Sequence, residues 1–517
     1  MNDHAKSGFA RLCTAVLTVL FCAGFGVLLF SLCFFNNSGM FDYSTIKQLL
    51  SALCIGGTGV IFCFAARRAM RNHSGLRAFL KKHFGKLLIL TLSGTFCFQM
   101  WYVNALSVPI GWDVGQIYNT AMAPDMNAEF GYFSIYPNNL FLLFCFRALF
   151  KLLRMVGIAD GWLVLSILNT LFVDTAALLC VLCAKQLWGL RGGYIALAVC
   201  IASFGVFPWL IVPYSDTLAM PFTILLFYLY LQLCRAKSTP ARVALAALAG
   251  IAACVGYFIK PTVIIIAIAA VLIHFIFTHT LRALCASLAL LLIFSACFVG
   301  GNHAFNHFVK EQQYIRIYEN QATPMTHFIM MGLSKYDWGD GNIQYGAYRG
   351  EDVSYTHANK DPDKKVEANL KMIRARLQDY GFGGYMRFLL DKARWVTAEG
   401  CFHWLGEGNF AQWEQAPDSI FKQLVTQDGK YFDLYLYYTQ GLWILILLAA
   451  VLSPLINTAT RRNRASALLR CTLIGILLFI LIFEGRSRYL LLYLPCFLLL
   501  ATEGVIHLHA FVANRRK

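Results

Sequence analysis

Charge is scarce in this chain. Of its 517 residues only 14% are Asp, Glu, Lys or Arg, against 58% hydrophobic ones, well short of the roughly 25% charge of soluble domains. That scarcity excludes a string of water-soluble domains, and the apolar excess excludes an unfolded polar chain. Acidic residues are the rarer charges, 27 against 44 basic ones, for a formal net charge of +17. A nucleic-acid-binding protein gathers such a surplus on one solvated face, but here the basic residues punctuate apolar runs, the pattern that orients a membrane protein. No nucleic-acid partner is expected. The chain also lacks internal repeats and low-complexity tracts. Nearly all of its 17 cysteines lie inside apolar runs, where a thiol is a small hydrophobe, so no disulfide framework is expected. Cys180 and Cys183 form a C-x-x-C without a βαβ context, which reads as packing. Cys401 reads as a lone extracytoplasmic thiol with no evident partner.

What is present is a series of apolar runs long enough to cross a bilayer core of ~30 Å. They fall at 12–35, 46–66, 87–104, 162–184, 194–212, 217–233, 243–259, 263–277, 284–300, 434–455, 468–483 and 489–512. The fold class this predicts is an all-α polytopic membrane protein of about twelve spans. The first run follows Lys6 and Arg11 but is too long for a signal peptide and lacks a small-residue cleavage site, so it reads as a retained span. Segment 139–156 is apolar too, yet Arg147, Lys151 and Arg154 make one helical stripe basic. Laid in the membrane interface instead of across it, this helix puts every strongly basic loop on the side of the N-terminus. Both termini are then expected in the cytoplasm.

The same bookkeeping puts segments 107–138, 213–216, Lys260, 302–432 and 484–488 outside. The chain divides into a membrane domain 1–301 with an outside loop 106–161, an extracytoplasmic module 302–433, and C-terminal spans 434–517. The module is too long for a structureless connector. Apolar spacing within it predicts helices over 363–378 and 385–396, and 332–350 has turn composition.

Unusual residues collect outside. Asp113, in GWDVGQIYN, sits between Gly111 and Gly115, which allow close backbone approach, and beside Trp112 and Tyr118, whose rings suit a sugar or the headgroup belt. A carboxylate there fits a general base, against the plainer reading of a solvated loop acid. Asp216, in PYSDTLAMPF, stands at the mouth of a span, where its plainer role is an N-cap. Lys260 interrupts an apolar stretch at Pro261, against the positive-inside bias. Glu484, Arg486 and Arg488 share one tight turn. A local ion pair accounts for one of those arginines but not both, and arginine offers the planar fork that binds phosphate oxygens. Two acids and three cations on the outer surface describe transfer from a lipid-linked phosphate: the cations neutralise the leaving group and an acid takes a proton from the incoming hydroxyl. Asp174, inside a span, ranks lower, as an interhelical hydrogen-bonding group with Asn169 or Thr175 nearby. His327, with Met325 and Met330, reads as structural. Asp337, Asp340 and Asp352 lack EF-hand spacing. Glu399 and Gly400, with Trp395 and Trp404, suggest an aromatic floor for a glycan, weighed against core packing.

The order of these motifs, namely an early outside Asp113, then YPNNL with Tyr136, PYSDT with Tyr214, IKPT, THFIMMGL, GCFHW and EGRSRYLLLYLP, resembles the GT-C superfamily of polyprenyl-phosphate-sugar glycosyltransferases. Protein mannosyltransferases and the aminoarabinose transferase belong to it, and the wording is similar to its Gram-positive multi-spanning members. The resemblance covers most of 113–495. It implies a GT-C-like helical bundle, an inverting transfer at the outer face, and a hexose or pentose carried on a polyprenyl phosphate. It implies Asp113 as base and Asp216 as the acid that positions acceptor or metal. Lys260, Arg486 and Arg488 are implied as donor-phosphate ligands, with Trp112, Tyr136, Tyr214 and Glu484 in support. Val114 follows Asp113, so the Asp-Glu pair of the mannosyltransferases is absent, and a divalent cation (Mg or Mn) stays open. The implied acceptor is an extracytoplasmic cell-wall glycopolymer, lipid or protein. The alternatives are a lipid-linked sugar flippase or transporter, although neither related halves nor midplane breaks are seen, and a polysaccharide polymerase or ligase.

Overall fold

The computed structural model describes residues 8–35, 41–337, 343–406 and 416–515. Among the described residues the fold is all-α except for one small hairpin, and ten helices are long and apolar enough to cross a membrane. The longest, Gly161–Phe204, is broken at Gly189, whose φ of 70° suits a residue without Cβ. Counting its two arms separately, and adding the shorter apolar helix Pro261–Ile276, recovers the twelve apolar runs read from sequence. Helix ends differ more. The span predicted at 87–104 belongs to Ser74–Leu106, and the one at 284–300 to Leu281–Glu311.

All 17 cysteines are free. Cys180 and Cys183 are buried, and the Cys180 thiol approaches the Pro495 carbonyl at 3.4 Å, so they pack. Cys401 does have partners: its thiol lies 3.9 Å from the Tyr43 hydroxyl and 3.7 Å from Glu399.

The helix Leu140–Met155 is not among the ten. Its basic stripe has a packing role, because Arg147 donates to the carbonyls of Ala121 at 3.0 Å, Ala123 and Pro124, and Arg154 to that of Met122. These are the unpaired carbonyls at the C-terminal end of Trp112–Met122, where cations are favoured. That helix carries Asp113 at its other end.

The module contains helices Met325–Gly332, Gly350–His357, Pro362–Thr397 and Ile420–Val425 and the antiparallel strands Lys335–Asp337 and Ile343–Tyr345. Pro362–Thr397 breaks at Gly381 (φ 56°) into the two helices expected. Asp352 holds Arg376 in a two-pronged ion pair at 2.6 and 2.9 Å, and Asp340 lies outside the described residues. His327 is buried, its Nδ1 2.7 Å from Thr356 Oγ1, which in turn donates to Asn369.

Module and membrane helices are joined beside the turn 484–488. Lys392 Nζ donates to the carbonyls of Gly332 and Phe483, both at 2.7 Å. Burial pushes this ammonium down to about 7, with Glu484 opposing. The backbone N–H of Glu484 donates to Phe328 and that of Gly485 to Gly346, at 2.8 and 3.0 Å.

Candidate functional site

Asp113 lies in the first turn of Trp112–Met122, where the helix dipole favours a negative charge. The turn is tight enough that a Cβ on Gly115 would stand 2.2 Å from the Ile110 carbonyl oxygen. The carboxylate is partly exposed and is aimed by two phenols: Tyr132 donates to Oδ1 at 2.7 Å and Tyr214 to Oδ2 at 2.9 Å. Asn139 Nδ2 donates to the Tyr132 hydroxyl at 2.7 Å. Burial, then the charge of Asp113, pushes the Tyr132 phenol well above its ordinary range, so it stays a donor. The Tyr136 ring lies tilted 5.3 Å from that of Tyr132, and its phenol is raised to about 12 by burial, then by Tyr348, Asp113 and Glu484.

Asp216 is fully buried in the first turn of Ser215–Arg235. It is not the N-cap, which is Tyr214. Its oxygens face two cations instead, Lys260 Nζ at 2.5 Å and Arg488 Nε at 3.5 Å. This is a counter-ion's place. Asn169 fixes the preceding turn by donating to the carbonyls of Trp209, Leu210 and Val212 at 2.8, 3.0 and 3.2 Å. The Asp174 carboxylate meets Gln99 instead, at 3.2 Å.

Lys260 caps Thr239–Ile259 where Pro261 ends the helix. Burial lowers its ammonium, and Asp216 opposes that shift most. The ammonium lies 4.2 Å over the Tyr489 ring, whose hydroxyl donates to Glu484 at 2.5 Å. The Arg488 guanidinium sits 4.0 Å over the Tyr214 ring, so one tyrosine touches both Asp113 and Arg488. Arg486 stands 5.7 Å over the Trp112 ring and 3.3 Å from His403 Nε2. Burial, then Arg486 and Arg488, keeps His403 well below its ordinary range, hence neutral. A guanidinium only donates, which assigns Nε2 as acceptor and the proton to Nδ1.

Among the described residues three non-glycines adopt left-handed φ, Trp112 at 60°, Phe402 at 55° and His403 at 61°. Each costs on the order of 1–3 kcal/mol, strain that collects at functional sites. Trp112 precedes Asp113, and His403 holds Arg486.

The structure thus brings Trp112, Asp113, Tyr136, Tyr214, Asp216, Lys260, Glu484, Arg486 and Arg488 into one neighbourhood. Tyr118 turns away, its ring 5.1 Å from Trp162 and 5.5 Å from Phe150. Trp395 and Trp404 are buried, Trp404 against Trp209 at 6.1 Å, and form no open floor. Sequence reasoning missed Tyr132, Asn139, Tyr489 and His403, uncharged residues whose only signal was nearness to YPNNL, GCFHW and RSRYLL. Among the described residues no group of three His, Cys, Asp or Glu has metal-binding spacing.

Fold and site together define a polytopic all-α membrane protein with a buried ionic cluster beside a partly exposed acid. Over residues 9–506 the chain matches the family described as conserved hypothetical integral membrane protein, and it belongs to that family. No match is found among curated proteins.

Proposed function

We propose that the chain is a membrane glycosyltransferase of GT-C type, moving a sugar from a polyprenyl phosphate to an extracytoplasmic acceptor. The observation that carries the reading is the pairing of Asp113, accessible and aimed by two phenols, with two arginines on neighbouring rings, Arg488 over Tyr214 and Arg486 over Trp112, and with Lys260 beside Arg488 on Asp216. In the reaction the acceptor hydroxyl gives its proton to Asp113 while its oxygen bonds to the anomeric carbon. The carbon–oxygen bond to phosphate breaks with inversion, and its electron pair leaves with the polyprenyl phosphate. Lys260, Arg486 and Arg488 stabilise that growing charge. Asp216 holds Lys260 and Arg488 apart at fixed positions. Both termini lie in the cytoplasm in this reading, and the site faces outward.

Membranes expressing the chain test it when given a panel of polyprenyl-phosphate sugars. The expected result is loss of sugar from one donor and its appearance on an envelope acceptor. Movement of intact lipid-linked sugar across the bilayer, with no transfer, would make the protein a flippase.

A further inference from the structure

The role of the extramembrane module is not explained by the chemistry of Asp113 and the cations. The module places Tyr348 beside Trp112, the two rings meeting edge to face at 6.3 Å and 76°. Both rings stay open, Trp112 being 48% and Tyr348 46% exposed, unlike the buried Tyr214 ring. Trp112 keeps this position at the cost of a left-handed backbone. Tyr348 is placed as firmly, because Gly346, two residues before it, accepts from Gly485 in the arginine turn. A Cβ at Gly346 would collide with Lys392 and Gly332 at 2.4 and 2.5 Å. Around the rings stand partly exposed polar groups: Asp113, Glu484 and the Tyr136 phenol, which senses the charges of both acids and the nearness of Tyr348.

We infer that Trp112 and Tyr348 form the acceptor subsite and that the acceptor is a carbohydrate. This rests on the glycosyltransferase reading and names its second substrate. A sugar ring presents an apolar C–H face and a rim of hydroxyl donors. The open ring faces suit the first, and the carboxylates of Asp113 and Glu484 suit the second. An acyl chain would strip water from both carboxylates and return no hydrogen bond. A peptide serine or threonine offers a single hydroxyl. In this subsite the hydroxyl to be activated is the one presented to Asp113, the residue next in sequence, while Arg486, over the same indole, faces the donor's phosphate.

The test uses the full-length protein in lipid nanodiscs, with neutral hexose and amino-sugar oligosaccharides as probes. Saturation-transfer NMR reads oligosaccharide binding without donor, and the transfer assay reads KM for the oligosaccharide with donor. Tyr348→Ala is expected to weaken binding and raise KM by about tenfold, as loss of an aromatic contact does. Trp112→Phe is expected to retain more binding than Trp112→Ala. Phe382→Ala, an exposed aromatic at the module's Gly381 break, is expected to change neither. No oligosaccharide binding, binding indifferent to Tyr348→Ala, or transfer only to a peptide or lipid would overturn the carbohydrate subsite while leaving glycosyl transfer standing. Binding that depends on Tyr348 in a protein that consumes no donor would keep the subsite and sink the transfer reaction.

Discussion

Two aspartates of the same neighbourhood hold opposite positions. Asp113 is accessible and hydrogen-bonded to neutral phenols, whereas Asp216 is fully buried between Lys260 and Arg488. Removing one member of a buried ionic cluster leaves an uncompensated charge, which costs about 3–5 kcal/mol. Asp216→Asn is therefore expected to lower the melting temperature markedly, and adding Lys260→Met to recover part of the loss. Melts of the purified variants check this, and an unchanged Asp216→Asn melt would remove the counter-ion role. Lys260 and Arg488 were legible in the sequence because each stands in a short turn between apolar runs, on the side that the distribution of basic loops predicts to disfavour positive charge. Tyr132 and Asn139 were not, since a tyrosine near a membrane surface equally fits the interface belt. Trp395 and Trp404 were ambiguous for a related reason, since aromatic rings fill cores as readily as they line sites, and here they fill the core.

At the scale of elements, apolar runs were read correctly and helix ends were not. Hydropathy registers residues in lipid, while the helix ladder continues past them, as in the basic start of Ser74–Leu106 and the polar end of Leu281–Glu311. The break at Gly189 was legible because polar residues around Lys185 and Arg191 separate two apolar runs. The strained start of Trp112–Met122 depends on Gly115. Gly115→Ala, pressing a methyl into the Ile110 carbonyl, is expected to cost roughly 1–3 kcal/mol and to reduce turnover more than it reduces folded protein, read by assay against size-exclusion yield. In the module, burial pushes His327 down to about 4, with His357 and Arg376 in the same direction and Asp352 opposing. The folded state thus holds it neutral while the unfolded chain takes a proton below about 6.5. Stability is therefore lost as pH falls from about 6.5 to about 4. His327→Gln is expected to flatten that slope in melts over the same range; an unaltered slope would assign the loss to other groups.

For the whole molecule, the membrane helices supply the ionic cluster and the module fixes the turn that carries its arginines. Lys392 is the side chain in that joint. Lys392→Met keeps the bulk and removes the donors. It is expected to raise KM for the lipid-phosphate donor about tenfold with a smaller change in kcat, and an unchanged KM would separate the module from the phosphate site. The overall architecture was readable from apolar runs alone. The joint was not, because it consists of backbone groups that meet each other and one lysine from far along the chain.

The measurement that bears most directly on the glycosyltransferase reading is transfer by purified Asp113→Asn beside the native protein, with whichever polyprenyl-phosphate sugar the native protein consumes. Asn keeps the shape and removes the base. The expected result is a correctly folded variant that transfers roughly a hundredfold to ten-thousandfold more slowly. Undiminished transfer by that variant would contradict the account.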